Sequence, residues 1–352
     1  YGETTSIRRI ATEEAFVTQE IADQWDVVLD AGSIGEPGFR MMGETILGDS
    51  PGARRIHERL VDLGAGRIRH MDETGIDVQV ISLTSPGVQV FTADVATRLA
   101  AQANDRLAEA VKAHPDRFVG MAAIAPQAPE TAAQELDRAT SLGLKGAIIN
   151  SHTHDEYLDA SKFWPILEAA ESLNAPIYLH PRTPSPQTIQ PYLDYGLYFA
   201  GWGFAAETSL HAMRLIMAGT FDRFPGLRII LGHMGEGIPF WLDRIDNRYL
   251  LQVNIGAVER LERLPSEYFR DNFLITTSGM NFGPPVRLST EVLGAEKILF
   301  AADYPYESVE EAVELMDSAP VTETELRKIY HQNAEALFDI PAIEIRRGVY
   351  KY

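Results

Sequence analysis

The sequence predicts one (β/α)8 barrel, the TIM-barrel class of α/β proteins, with long loop insertions over the C-terminal face. Three observations predict it. Short apolar runs alternate with segments of helical spacing along most of the chain, giving eight strands. Three of these runs end in ionisable residues: Ile298-Leu299-Phe300-Ala301-Ala302-Asp303, Ala175-Pro176-Ile177-Tyr178-Leu179-His180, and Arg228-Ile229-Ile230-Leu231-Gly232-His233, the last followed by Met234-Gly235-Glu236. A charged group at the mouth of an apolar strand is costly unless something pairs with it, and in barrels the C-terminal face carries the chemistry. Finally, no linker, repeat or low-complexity run divides the 352 residues, so a single domain over 1–352 is expected.

The elements follow in order. A first strand is expected over residues 7–11, with Thr12-Glu13-Glu14-Ala15-Phe16 after it. Residues 17–55 are rich in Gly, Met and acids and read as an irregular insertion over the mouth with some helix. Helical spacing through Ile56, Leu60, Leu63 and Ile68 predicts one helix over 55–71, stopped by Gly75, and then a strand over 77–83. A helix over 97–114 buries Leu99, Ala103, Leu107 and Val111. A strand over 118–124, a helix over 130–141 and a strand over 144–149 come next. The helix 161–173 precedes the His180 strand. Residues 182–203, broken by Pro and Gly and rich in aromatics, form a second mouth loop. The helix 205–219 leads to the His233 strand, and a strand over 273–277 precedes the Asp303 strand. Helices over 310–319 and 323–338 close the barrel. The basic, aromatic tail 340–352 is expected either to pack on a partner subunit or to be a loosely ordered end.

Composition narrows the function. With 45% hydrophobic and 23% charged residues the chain is ordinary globular material. Its net charge of −19 argues against nucleic acid or an anionic membrane as partner. There is no Cys, hence no disulfide framework and no thiolate chemistry. That, and a polar opening Tyr1–Ser6 without a signal-peptide core, fits the cytoplasm.

Glu13, His180 and Asp303 would give an O, N, O set for one divalent ion, Mn2+ or Zn2+, with positions left for water or substrate. Lys145 stands at the start of its strand, the wrong end to bridge two metals. His233 and Glu236 are three apart, so the Glu could fix the ring tautomer; the alternative is a satisfied loop histidine. Arg244, on a helix behind that loop, could clamp a carboxylate or pair with Asp243 or Asp246. His152 and His154 resemble a metal pair, but Asp155 and Glu156 beside them favour a solvated loop. His57, His70, His114 and His331 read as surface residues, and His211 as a buried hydrogen-bonding residue inside a helix.

These motifs, in this order, resemble the amidohydrolase superfamily in its branch of non-oxidative aromatic acid decarboxylases. Ile10–Phe16, Thr84–Gln89, Ile149–Thr153, Gly232–Glu236 and Asp303–Tyr306 are similar to the 5-carboxyvanillate decarboxylases. His180-Pro181-Arg182 and Ile275–Gly279 are closer to the γ-resorcylate decarboxylases. The resemblance implies one catalytic divalent metal on Glu13, His180 and Asp303, with His233, Glu236 and Arg244 as a second catalytic set. Tyr306 matches a position near the substrate, and Arg54 is the nearest match to an Arg of the first long loop. Where the hydrolases carry His-x-His, this chain has Glu13 and Ala15, and Ala15 leaves a coordination position for substrate. A homodimer or homotetramer, and a place in the breakdown of lignin-derived aromatics, are also implied.

The activity implied is loss of CO2 from an ortho-hydroxylated benzoate, 5-carboxyvanillate or a close relative, with Asp303 shuttling the proton. The main rival is a hydrolase of an ester, lactone or amide with Asp303 as base. An aromatic mouth of Trp202, Phe204, Tyr304 and Tyr306 favours the flat acid. A rival of another class is a catalytically dead scaffold, which three intact ligand positions disfavour.

Overall fold

The computed structural model describes residues 7–32 and 35–343. Nine strand segments make eight staves of a parallel barrel: β1 (Ile10–Phe16), β2 (Val78–Leu83), β3 (Phe118–Gly120), β4 (Ala122–Ala123), β5 (Ala147–Asn150), β6 (Ile177–His180), β7 (Ile229–Leu231), β8 (Phe273–Thr276) and β9 (Ile298–Leu299). The expected strand 118–124 is one stave broken at Met121. There the backbone switches partner, Met121 N donating to Ile81 O and Ala122 N to Gly146 O. β1 to β3 pair in order, as do β4 to β9. Thr12 N to Phe300 O (3.0 Å) and Ala15 N to Tyr304 O (2.8 Å) close the ring between first and last staves.

The staves are apolar because helices cover them outside and side chains fill them inside. Val80, Ile81, Ile148, Ile177, Ile229, Leu231, Ile275 and Leu299 are all buried. Two expectations change. The first strand runs to Phe16, so Glu13 lies within it; a bulge between Ala11 and Glu14 re-aims the backbone there. The single helix expected over 55–71 is two, Pro51–Val61 and Ala65–Thr74. Asp62 ends the first and its carboxylate takes Gly64 N at 2.8 Å, a local bond that competes with helix continuation.

The insertion 17–55 is largely helical. Helices Gln19–Asp30 and Pro37–Ile46 precede Pro51–Val61, and Thr18 and Ser50 cap the first and third. Trp25 Nε1 donates to Gly87 O at 3.0 Å, tying the first helix to the loop after β2. A buried ion pair of Glu36 with Arg182 ties the second to the loop after β6. The tail beyond 343 lies outside the described residues. Among the described residues no helix is long and apolar enough to cross a membrane.

The loop after β5 is solvated only in part: His154 and Glu156 are exposed as expected, whereas Ser151 to Thr153 are buried. His152 is fully buried and its Nε2 donates to Thr183 O at 3.2 Å. The exposed His154 bonds Phe91 O through its Nε2 at 3.1 Å. His57, His70, His114 and His331 have intermediate exposure on helices or at their ends. His211 is buried as expected. Its Nε2 accepts from Leu158 N at 2.9 Å, which requires a neutral ring.

Burial, with Arg214 nearby, lowers His211 to about 3, and burial with Arg182 lowers His152 well below the usual value. As pH falls from about 6.5, the unfolded chain binds protons that these rings refuse, so stability falls by about 1.4 kcal/mol per pH unit for each ring. Urea midpoints of metal-free protein at pH 7 and pH 5 should show this loss. His211→Gln should reduce it by about 2 kcal/mol.

Candidate metal centre and active site

Glu13 leaves β1 toward the barrel mouth. Its Oε2 accepts from Thr276 Oγ1 at 2.7 Å and from Ser278 Oγ. Its Oε1 is buried and has no hydrogen-bond partner among the described residues. Gly232 lets this carboxylate approach, since a Cβ there would lie 3.0 Å from Oε1. His180, at the end of β6, gives Nδ1–H to Pro181 O at 2.8 Å, which leaves the Nε2 lone pair 3.3 Å from Glu13 Oε1. Two lone pairs facing each other in a buried place repel unless a cation lies between them. Asp303 completes the group: one ligand atom each from Glu13, His180 and Asp303 lie within 4.8 Å of one another. The orphaned Oε1 and the O, N, O donor set fit a divalent metal.

The loop after β7 sets a second pair over this group. His233, Met234, Gly235, Glu236 and Gly237 all have positive φ, between 49° and 79°. A run of left-handed backbone is strained for L-residues and persists only where its surroundings impose it. The result puts His233 Nδ1 2.9 Å from Glu236 Oε1 and Nε2 4.0 Å from Glu13 Oε1 and 3.9 Å from Asp303 Oδ2. Burial opposes charge on this ring, but Glu236, Glu13 and Asp303 outweigh it and hold the imidazole well above its ordinary pKa. Burial would raise Glu13 too, yet the charge of His233 and the hydroxyl of Ser278 hold it at about 2. Asp303 goes the other way. Burial and the charge of Glu13 raise it against the pull of His233.

Tyr306 sits at this mouth, its hydroxyl 2.6 Å from Thr84 Oγ1 at the end of β2. The two arginines stand outside the metal cluster. Arg54 is exposed on the helix Pro51–Val61 and pairs only weakly with Asp49, at 3.4 Å. Arg244 is exposed on the helix Ile238–Asn254, in an open surface cleft that it shares with Glu236, Trp241 and Arg248. It has no ion pair among the described residues, and Asp246 instead binds Ser266. Tyr304 turns away from the mouth, its ring under the Arg67 guanidinium and beside His70. Trp202 is 62% exposed, so the aromatic mouth is sparser than expected.

Sequence reasoning passed over Thr276, Ser278 and Tyr178. Tyr178 OH lies 3.3 Å from Thr276 Oγ1. The signal was strand alternation: Thr276 and Ser278 are two apart at the end of β8, and Tyr178 is two before His180, on the same face.

The amidohydrolase family model matches residues 35–340. This chain belongs to the amidohydrolase family. It is 39% identical over 296 residues to a γ-resorcylate decarboxylase of Polaromonas sp. (strain JS666 / ATCC BAA-500), covering 81% of this chain and 90% of that protein. The structure is similar to that of a 5-carboxyvanillate decarboxylase from Sphingomonas paucimobilis, with a TM-score of 0.91 and 43% identity over 96% of this chain and 100% of the other. It is similar also to the 5-carboxyvanillate decarboxylase of Novosphingobium aromaticivorans in complex with manganese and 4-hydroxy-3-methoxy-5-nitrobenzoic acid. There the TM-score is 0.93 and the identity 41%, over 96% of this chain and 97% of the other. These relatives in the amidohydrolase family are carboxy-lyases of aromatic acids.

Within this family site, Glu236→Gln tests the charge on His233. Without the carboxylate the imidazole pKa should fall toward its ordinary value, read by histidine-selective NMR titration of the metal-free protein. An unmoved titration would show that Glu236 does not hold the proton there.

Proposed function

We propose that the protein is a metal-dependent, non-oxidative decarboxylase of an ortho-hydroxylated aromatic acid, 5-carboxyvanillate or a close relative, giving vanillate or the corresponding phenol. The observation that carries the reading is the carboxyl group of Asp303, raised in pKa, 3.9 Å from the His233 imidazole in a cluster fit for a divalent ion. The ligand in the Novosphingobium complex supports the choice of acid, for it bears a nitro group beside its phenol where 5-carboxyvanillate bears a carboxylate.

Glu13, His180 and Asp303 would hold the ion. We favour manganese, because two of three donors are carboxylates and the Novosphingobium relative carries it. When bound, it supplies a Lewis-acid charge that offsets the substrate's carboxylate and adjacent phenolate. The Asp303 carboxyl, raised in pKa by burial and by Glu13, delivers a proton to the ring carbon that bears the substrate carboxylate. The C–C bond then breaks, its electron pair restores the aromatic ring, and CO2 leaves. Asp303 regains a proton from water. His233, held charged by Glu236, stands beside the reacting anion and stabilises its phenolate. Tyr306 borders the ring. The exposed Phe240, Trp241 and Leu251 on the helix Ile238–Asn254 support a homodimer or homotetramer, placed in the cytoplasm.

Protein loaded with Mn2+ should release CO2 from 5-carboxyvanillate faster than from γ-resorcylate, 2,3-dihydroxybenzoate or salicylate. Asp303→Asn should lose about 10²–10⁴ of the turnover, the span of general acid catalysis. Glu13→Ala and His180→Ala should lose the metal by elemental analysis. If every acid is inert in the metal-loaded protein while a simple aryl ester is cleaved, the chain is a hydrolase instead.

A further inference from the structure

Glu13 has a neighbour of the same charge that the mechanism does not use. Consecutive strand residues face opposite sides, so where Glu13 enters the mouth, Glu14 points to the joint between β1 and the segment after β9. It is fully buried. Its Oε1 accepts from Ala302 N at 3.0 Å and its Oε2 from Tyr304 N at 3.1 Å. These two amides flank Asp303, whose φ is +63°. A non-glycine residue there is strained and is kept only when over-determined. The β9 ladder cannot do it, because β9 ends at Leu299. The bridging carboxyl replaces the missing ladder bonds on both sides of the strained residue.

We propose that Glu14 is the positioning residue for Asp303: by gripping the amides on either side, it fixes the direction in which the Asp303 carboxyl enters the metal cluster. The dipeptide Glu13-Glu14 then governs two of the three corners, one by direct ligation and one through the backbone. Arg67 supports it from behind. This guanidinium is buried, donates to Ala15 O at 2.7 Å and lies 4.8 Å from the Tyr304 ring centroid. Burial pushes the Glu14 carboxyl up to about 8 against the pull of the two amides and Arg67. In either protonation state each oxygen keeps a lone pair for its amide. An amide side chain would instead turn an NH2 group toward one N–H donor.

The inference rests on the metal-site reading above, but its test does not need turnover. Mn2+ affinity is measured by electron paramagnetic resonance for wild type, Glu14→Gln, Asp303→Asn and the double variant. Glu14→Gln should weaken Mn2+ binding by about 10- to 100-fold, the usual effect of removing a ligand's supporting bond. On the Asp303→Asn background it should change affinity by less than about twofold, because the residue it acts through is gone. Additive losses in the two backgrounds would overturn the proposal. Thr12→Val removes the Thr12 Oγ1 to Phe300 O bond of the same joint. It should lower the melting temperature and leave Mn2+ affinity unchanged; an equal loss of affinity there would make Glu14 merely structural. Should Glu14→Gln fail to fold, Glu14→Asp, which reaches only one amide, enters the same cycle with the same two outcomes. Wild-type protein that binds Mn2+ but decarboxylates nothing would defeat the functional reading and leave this one standing.

Discussion

The constraint on which the rest depends is a buried carboxylate oxygen with nothing of the protein's own to bind. Glu13 Oε1 faces the free lone pair of His180 and lies 4.0 Å from the imidazole of His233. A chain of hydroxyls from Thr276 and Ser278 fixes the other oxygen, so the first cannot rotate away to find a partner. Burying such a group is expensive unless a cation is supplied. The barrel therefore stores an electrostatic demand at its mouth that a divalent cation would meet.

The backbone around this point is organised to keep that demand. Three departures from regular structure surround the cluster: the bulge in β1, the left-handed run from His233 to Gly237, and the positive φ of Asp303. Each aims one side chain that a regular strand or turn would send elsewhere. Each is held by bonds of high sequence separation, such as Ser278 Oγ to His233 N and Glu14 to the Asp303 segment. The helices of residues 17–61 are tied down in the same way, by Trp25 and by the Glu36–Arg182 pair. Strain at the site is thus balanced by a rigid frame, with the stiffness drawn from the packed barrel rather than from the loops.

Charge does the discriminating. His233 lies near Glu13, Asp303 and Glu236, so its proton is held firmly, while Asp303 is lifted by burial and by Glu13. Neighbouring carboxylates with opposite displacements are how one site keeps both an anion and an acid at the same pH. The distinction belongs to the arrangement, since Glu13 and Asp303 differ by one methylene as free side chains.

How much of this was legible without the fold follows from range. Alternating apolar runs and helical spacing reported the barrel, because burial on both faces of a stave dictates composition residue by residue. His180, His233 and Asp303 were legible because a polar residue ending an apolar strand stands out against its neighbours. The break at Asp62 and the end of β1 were not legible, because a side chain taking a nearby amide, or a bulge set by the pairing strand, leaves no periodic trace. The burial of His152, the outward turn of Tyr304 and the exposure of Arg54 and Arg244 depend on which distant segments arrive. The sequence by itself determined the class of fold and the chemical types gathered at its mouth. Only the tertiary structure decided which of them meet, because that rests on bonds between residues as far apart as Glu13 and Ser278, and local composition carries no record of them.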